Sequence, residues 1–225
     1  MRRLRSIEVP QHLQRNAAKV VAAGLEHTAE VLLSNLAMRM GRPNLCGLDI
    51  LDLGCGVRFT QTLINRCLPF KSYAGIDVSL PVIQWLKDNV ETKDERFTFA
   101  HWNVRNALYN KMAPPMQEHE VFPIPGDYDL LMGFSLFTHL DPDDAKHMLV
   151  LARHAVRPSG WFFFSAFCDQ AIGEFEDRMP NQPLLKAYYN KEYLQRLISE
   201  ARWEVSSYQE RGEYIMSSFL CRPVE

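Results

Sequence analysis

The hydrophobic positions of this chain change period along its length, and each change marks an element. From Gln14 to Arg39 the residues Val21, Leu25, Leu32 and Leu36 recur at helical spacing between Ala-rich flanks, which predicts one long amphipathic helix. Gly41, Pro43 and Gly47 end that pattern and deliver the chain to a first strand, Leu48 to Leu53. Strand and helix then alternate. The pattern predicts a helix over Thr60 to Cys67 and a strand over Tyr73 to Asp77. A helix over Pro81 to Val90 has Ser79 as its N-cap, and a strand crosses Phe97 to His101. A fourth strand starts at Tyr128. Behind Asp141 comes a helix that places Ala145, Met148, Leu149, Ala152 and Val156 on one face, and a fifth strand ends near Phe167. Asn190 to Ala201 returns to helical period, and Trp203 to Tyr208 and Tyr214 to Leu220 read as closing strands. Pro114, Pro115, Pro123 and Pro125 make Asn106 to Asp127 a long connection, and Cys168 to Tyr189 is a second one.

This alternation predicts an α/β fold, a mostly parallel sheet with helices on both faces, whose ligands bind beyond the strand carboxyl ends. Gly54, Asp77, Asn103, Gly133 and Phe167 fall on that edge. A length of 225 residues at 47% hydrophobic suits one sizeable core and one domain.

Charge and cysteine content narrow the partners. A net charge of −2 with dispersed Lys and Arg offers no attraction for a polyanion, so nucleic acid is a poor substrate. Arg2, Arg3 and Arg5 read as a solvated N-terminus. Cys46, Cys55, Cys67, Cys168 and Cys221 form no CxxC pair, which argues against a disulfide framework or zinc site and fits a reducing cytoplasm. No apolar stretch reaches the length of a membrane span or resembles the core of a secretory signal, so no membrane partner is expected. The acids Asp141, Asp143 and Asp144 are read as a helix cap and dipole partners, and no metal is expected there.

The chemistry is concentrated in Ile50-Leu51-Asp52-Leu53-Gly54-Cys55-Gly56 and in Tyr73-Ala74-Gly75-Ile76-Asp77. A buried strand feeding a glycine turn, with a carboxylate at the tip of the next strand, is how parallel sheets hold an adenosine-bearing cofactor. Phe59 stands where a dinucleotide fold needs its third glycine, and no Gly-Lys-Ser or Gly-Lys-Thr occurs. These departures point to an adenosine ligand without phosphates.

The same residues resemble the class I S-adenosylmethionine-dependent methyltransferases, whose first motif reads acid, any, Gly, any, Gly. Asp52, Gly54 and Gly56 match it, and Asp77 matches the acid that binds the ribose hydroxyls. The stretch Phe97 to Asn106 followed by Leu108-Tyr109-Asn110, together with Tyr128 to Leu140 and Arg157 to Phe164, resembles the later strands of a bacterial subgroup acting on small molecules, sugars among them. The resemblance implies a Rossmann-like doubly wound sheet of seven strands, the last inserted antiparallel, with an N-terminal helical segment over 1–44 and a core over 45–225. It implies S-adenosyl-L-methionine as cofactor, with Asp52, Gly54, Cys55, Gly56, Asp77, Val78, Asn103, Val104, Gly133 and Phe134 around it. Two positions depart from the family. Arg58 stands where another Gly is common, bringing a cation toward the cofactor rim, and Asn103 replaces an Asp that accepts from the adenine amino group.

The implied reaction is methylation of a small molecule, with oxygen of a sugar or secondary metabolite as first choice and nitrogen as second. The rival reading is a catalytically silent cofactor-binding subunit or sensor, carried by Arg58 and Asn103. His139, just past the fourth strand, is the candidate general base; alternatively it packs in the first turn of its helix and bonds a backbone carbonyl. His101 reads as structural, and no motif surrounds His12, His27, His119, His147 or His154. Phe175, Met179, Tyr188 and Tyr189 line an acceptor pocket or anchor a loop. Met132-Gly133-Phe134-Ser135 stands where nucleic-acid amino methylases carry Asn or Asp, Pro, Pro and an aromatic, which disfavours base methylation.

Overall fold

The computed structural model describes residues 3–16, 18–117, 121–179, 181–210 and 216–225. Arg2, His119, Tyr214 and the start of the expected last strand lie outside them. The chain forms two compact units, Met1–His101 and Trp102–Glu225.

In the first unit, three parallel strands pair in the order β3 (Phe97–His101), β2 (Ser72–Asp77), β1 (Asp49–Leu53). All five residues of β1 (Asp49 and Asp52 included) are buried, as in a strand covered on both faces. Between the strands run α3 (Arg58–Asn65) and α4 (Leu80–Leu86), the latter continued by one wide turn over Lys87–Glu91. Ser79 is the N-cap of α4 as expected, but its hydroxyl does not cap; its backbone N–H instead donates to Asp77.

The expected long N-terminal helix is two helices, α1 (Ala18–Ala22) and α2 (Leu25–Arg39). Gly24, at φ 88°, breaks the helical path and resets the register. The buried face of α2 is therefore Ala29, Leu33, Leu36 and Ala37, while Val21 is exposed. Burying Leu33 and Leu36 stabilises by roughly 1.5 to 3 kcal/mol each. Before α1 the chain runs as an arm whose Val9 and Leu13 are buried. Asn65 holds this arm through both backbone groups of Ile7, at 2.8 and 3.1 Å, and Asp94 accepts from the Leu4 N–H at 3.1 Å.

In the second unit β4 (Tyr128–Gly133) pairs parallel with β5 (Val156–Cys168). Between them, α5 (Pro142–Ala155) starts at Asp141, whose side chain accepts from the Asp144 N–H at 2.9 Å. Ala145, Met148, Leu149 and Ala152 form its buried face as the spacing predicts. The far side of β5 pairs antiparallel with β9 (Ser217–Pro223), which pairs antiparallel with β8 (Trp203–Gln209), so the last strand is inserted antiparallel. The helix α6 (Lys191–Glu200), capped by Asn190, leads into β8. The connection after β5 contains two further short strands, β6 (Phe175–Asp177) and β7 (Ala187–Tyr189), giving nine strands among the described residues where seven were expected. The Pro-rich connection before β4 has no helix among its described residues.

Candidate functional site

The first unit brings Asp52, Gly54, Cys55, Gly56, Asp77 and Val78 into one constellation. Gly54 and Gly56 adopt φ of 71° and 50°, left-handed values that L side chains rarely take, so the turn after β1 can close tightly. The Gly54 and Cys55 N–H groups both donate to the Ile76 carbonyl, at 2.9 and 3.0 Å, tying the turn to the end of β2. The Gly56 N–H donates to Asp77 Oδ2 at 2.9 Å. The Ser79 N–H donates to Oδ1 at 2.8 Å, and Arg15 Nη2 donates to Oδ2 at 2.8 Å. The Asp77 side chain is only 3% exposed, whereas that of Arg15 is 28% exposed.

Asp52 lies one step deeper. It is buried and accepts from the Tyr73 hydroxyl at 2.5 Å. Burial, with the neighbouring Asp77 charge assisting, pushes its carboxyl up to about 8 against the bond from Tyr73. Asp52 thus holds its proton far more tightly than an ordinary carboxyl group. The Cys55 thiol is buried and is pushed up by burial and by both acids, so it serves as packing and not as a nucleophile. Val78 contributes its carbonyl, which accepts from His101 Nε2 at 3.2 Å; this fits the structural role expected of His101.

Sequence reasoning missed three residues here. A Cβ on Gly75 would lie 2.9 Å from Cys55 Sγ and from Phe99 Cδ1, so β2 needs glycine at that point for the turn to pack against it. Asn65 and Arg15 are the other two, and no local pattern marks a side chain that works on a distant segment. Arg58, expected at the cofactor rim, is instead turned onto α2. Its Nε donates to the Leu25 carbonyl at 3.2 Å and its Nη2 to Thr28 Oγ1 at 2.6 Å. Burial lowers its guanidinium to about 10. Arg58 staples two helices.

The second unit holds Asn103, Val104, Gly133, Phe134 and His139. Asn103 follows β3 and is exposed; its Oδ1 accepts from Asn110 Nδ2 at 3.2 Å, while Val104 is buried. Asn110 also pairs with Asn106 through the backbone, so Asn103 to Asn110 is a small closed loop. Gly133 ends β4, where a Cβ would come 3.2 Å from Leu136. Phe134 packs on Phe163 with ring centroids 4.6 Å apart. Ser135 then takes φ 59°, unusual for a residue with a side chain, held by its N–H bond to Ser165 Oγ at 2.7 Å and by Thr138 Oγ1, which donates to its carbonyl at 2.6 Å.

His139 ends the short turn Phe137–His139 and is half-buried. Its Nδ1 lies 3.0 Å from the Leu184 carbonyl. A carbonyl only accepts, so Nδ1 carries the proton and Nε2 is the basic nitrogen of the neutral ring. The Tyr109 ring meets the imidazole edge-on at 6.1 Å. Asp177 orders the loop that delivers Leu184, accepting from the Met179 N–H at 3.1 Å and the Leu184 N–H at 2.8 Å. The aromatic residues expected near an acceptor are mostly anchors. Tyr189 is buried and donates to the Leu140 carbonyl at 2.7 Å, with Phe175 packed on its edge. Tyr188 lies between Phe167 and the Arg178 guanidinium, which sits 3.9 Å from the ring centre.

Among the described residues no group of His, Cys, Asp and Glu is placed to hold a metal, and no helix is long and apolar enough to cross a membrane. No family model matches the chain. Solved structures do resemble it. The 1,6-didemethyltoxoflavin-N1-methyltransferase of Burkholderia thailandensis, with 1,6-didemethyltoxoflavin and S-adenosylhomocysteine bound, shares 16% identity at a TM-score of 0.60 over 98% of this chain and 94% of that one. The magnesium protoporphyrin IX methyltransferase of Synechocystis PCC 6803, with bound S-adenosylmethionine, shares 14% at 0.58 over 96% and 86%. An S-adenosylmethionine-dependent methyltransferase of Mesorhizobium loti shares 15% at 0.61 over 88% and 100%. At these identities the likeness is one of fold, and the fold is the Rossmann-like α/β fold expected from the sequence.

Proposed function

We propose that the chain is an S-adenosyl-L-methionine-dependent methyltransferase acting on a small molecule, with oxygen of a sugar or secondary metabolite as the preferred acceptor and nitrogen as the alternative. The observation that carries this reading is the buried Asp77 carboxylate at the tip of β2, tied to the Gly54-Cys55-Gly56 turn by the Gly56 N–H. A Cβ at Gly56 would meet nothing within 4 Å, so the turn has open space in front of it. An acid of this kind suits a ribose diol. The solved structures described above match both units, which supports taking residues 1–225 as one domain of this class. Those proteins are named for 1,6-didemethyltoxoflavin in one case and magnesium protoporphyrin IX in another, which supports the small-molecule class without choosing between oxygen and nitrogen.

S-adenosylmethionine supplies an activated methyl group on a sulfonium leaving group. The chain's own work is to position and to move a proton. Asp52, Gly54, Cys55 and Gly56 would shape the turn; Asp77 and Val78 would hold the ribose; Asn103 and Val104 would serve the adenine; Gly133 and Phe134, at the end of β4, are the remaining expected cofactor residues. His139 takes the acceptor proton on Nε2, its ring oriented through Nδ1 by Leu184. The silent-subunit reading loses one of its two supports, because Arg58 staples α3 to α2.

Calorimetric titration with S-adenosylmethionine and S-adenosylhomocysteine tests the reading. Both should bind the wild type, and Asp77→Ala should weaken them by roughly 1.5 to 3 kcal/mol, the worth of a bond to a charged group. Binding of NADH with neither of these ligands would sink it.

A further inference from the structure

One oxygen of Asp77 is fully used. A carboxylate oxygen offers about two lone-pair positions. Oδ2 accepts from the Gly56 N–H at 2.9 Å and from Arg15 Nη2 at 2.8 Å, while among the described residues Oδ1 accepts only from the Ser79 N–H at 2.8 Å. A ribose diol shared between the two oxygens needs an open position on each. Gly56 and Ser79 use backbone donors fixed by the glycine turn and by the start of α4. Arg15 alone of the three reaches Asp77 with a long side chain, from the N-terminal arm 62 positions away.

The geometry points to Arg15 as a latch: the N-terminal arm lays its guanidinium on the cofactor carboxylate, and the ribose must displace it to bind. This inference rests on the reading of Asp77 as ribose ligand. The exchange leaves neither group bare, and giving up the ion pair is the cost that the cofactor must meet. The guanidinium is already partly solvated, so releasing it to water costs little desolvation, and the buried carboxylate gains hydroxyl donors in its place. The rest of the arm need not move. Ile7 stays on Asn65, Leu4 on Asp94, and Val9 and Leu13 in the core, all upstream of the residue that lets go. Arg15 thereby sets a threshold for cofactor occupancy, and anything that draws the arm away raises the apparent affinity.

Titration of S-adenosylhomocysteine into the wild type and into Arg15→Gln tests the latch. The variant should bind about tenfold more tightly, the factor expected if the latch is closed roughly nine-tenths of the time. On the wild type alone, S-adenosylhomocysteine should speed tryptic cleavage after Arg15, although ligands ordinarily protect a chain. Weaker binding by the variant would make Arg15 a cofactor ligand and overturn the latch. Equal binding by the variant, or slower cleavage after Arg15, overturns it as well while leaving the cofactor reading intact. Failure of both proteins to bind S-adenosylhomocysteine overturns the cofactor reading and the latch together.

Discussion

The turn after β1 and the turn after β4 both end a buried strand, yet they are built from different materials. The first is made of backbone: two left-handed glycines, N–H groups on Ile76, and one carboxylate 21 positions on. The second depends on groups from far along the chain. Ser135 holds a left-handed conformation without being glycine, a state costing of order 1 to 3 kcal/mol. It persists because Ser165, 30 positions away, accepts from its N–H. His139 is aimed by a carbonyl 45 positions away. Backbone turns are written in residue types; turns held by distant side chains are not.

The largest expected effect falls on the second turn. His139→Ala should lower turnover by roughly a hundred- to ten-thousandfold, the usual loss of a general base. Affinity for S-adenosylhomocysteine should stay nearly intact. Wild-type turnover should fall on the acid side as the imidazole takes a proton, and the variant should lose that limb. A folded variant that turns over normally would make His139 an anchor for the Leu184 loop, and the contrast between the two turns would then be one of architecture only.

An effect of intermediate size falls on the first turn and is read in stability. The Asp52 carboxyl stands near 8 in the folded chain against an ordinary 3.8, raised by burial and then by Asp77, with Tyr73 opposing. The folded state therefore binds the extra proton between those values, so the contribution is full at low pH and is lost as pH rises through about 8. Melting temperature should fall from pH 5 to pH 8, as the free energy of unfolding drops with a slope approaching about 1.4 kcal/mol per pH unit in the middle of the window. Asp52→Asn keeps an acceptor for Tyr73 and removes the titration, so its profile should be flatter. Parallel profiles would mean that Asp52 is ionised in the fold, and that the turn rests on a paired charge instead of a neutral acid.

The same contrast explains what was legible. Strand β1, the glycine turn and Asp77 follow from apolar runs, glycines and an acid at fixed spacing, and so does the Asp141 cap of α5. The N-terminal helix was overextended because a lone Gly24 costs a helical pattern only about 1 kcal/mol; only its left-handed φ shows that it breaks the path. Strands β6 and β7 are three residues each, too short to show a period of two. Arg58 read as a departure from a family pattern, although its partners, Leu25 and Thr28, lie 33 and 30 positions upstream, beyond any local pattern. Arg15 left no trace at all, since an arginine in a polar arm looks solvated.

The smallest effect concerns Asn103, which belongs to the second unit by position but to the cofactor by its expected role. Its Oδ1 faces Asn110 Nδ2 at 3.2 Å, and a carboxylate oxygen at the same place accepts that bond equally well. Because Asn103 is exposed, Asn103→Asp should change stability by no more than about 0.5 kcal/mol. Its affinity for S-adenosylmethionine should equal or exceed that of the wild type, since the charge strengthens acceptance from the adenine amino group. Asn103→Ala removes both bonds and should loosen the Asn103 to Asn110 loop as well as the cofactor. If Asn103→Asp instead binds markedly less tightly while melting normally, the amide N–H of Asn103 is the group in use. Asn103 would then be a donor, and the adenine reading of this loop would give way to one in which the loop holds an acceptor oxygen.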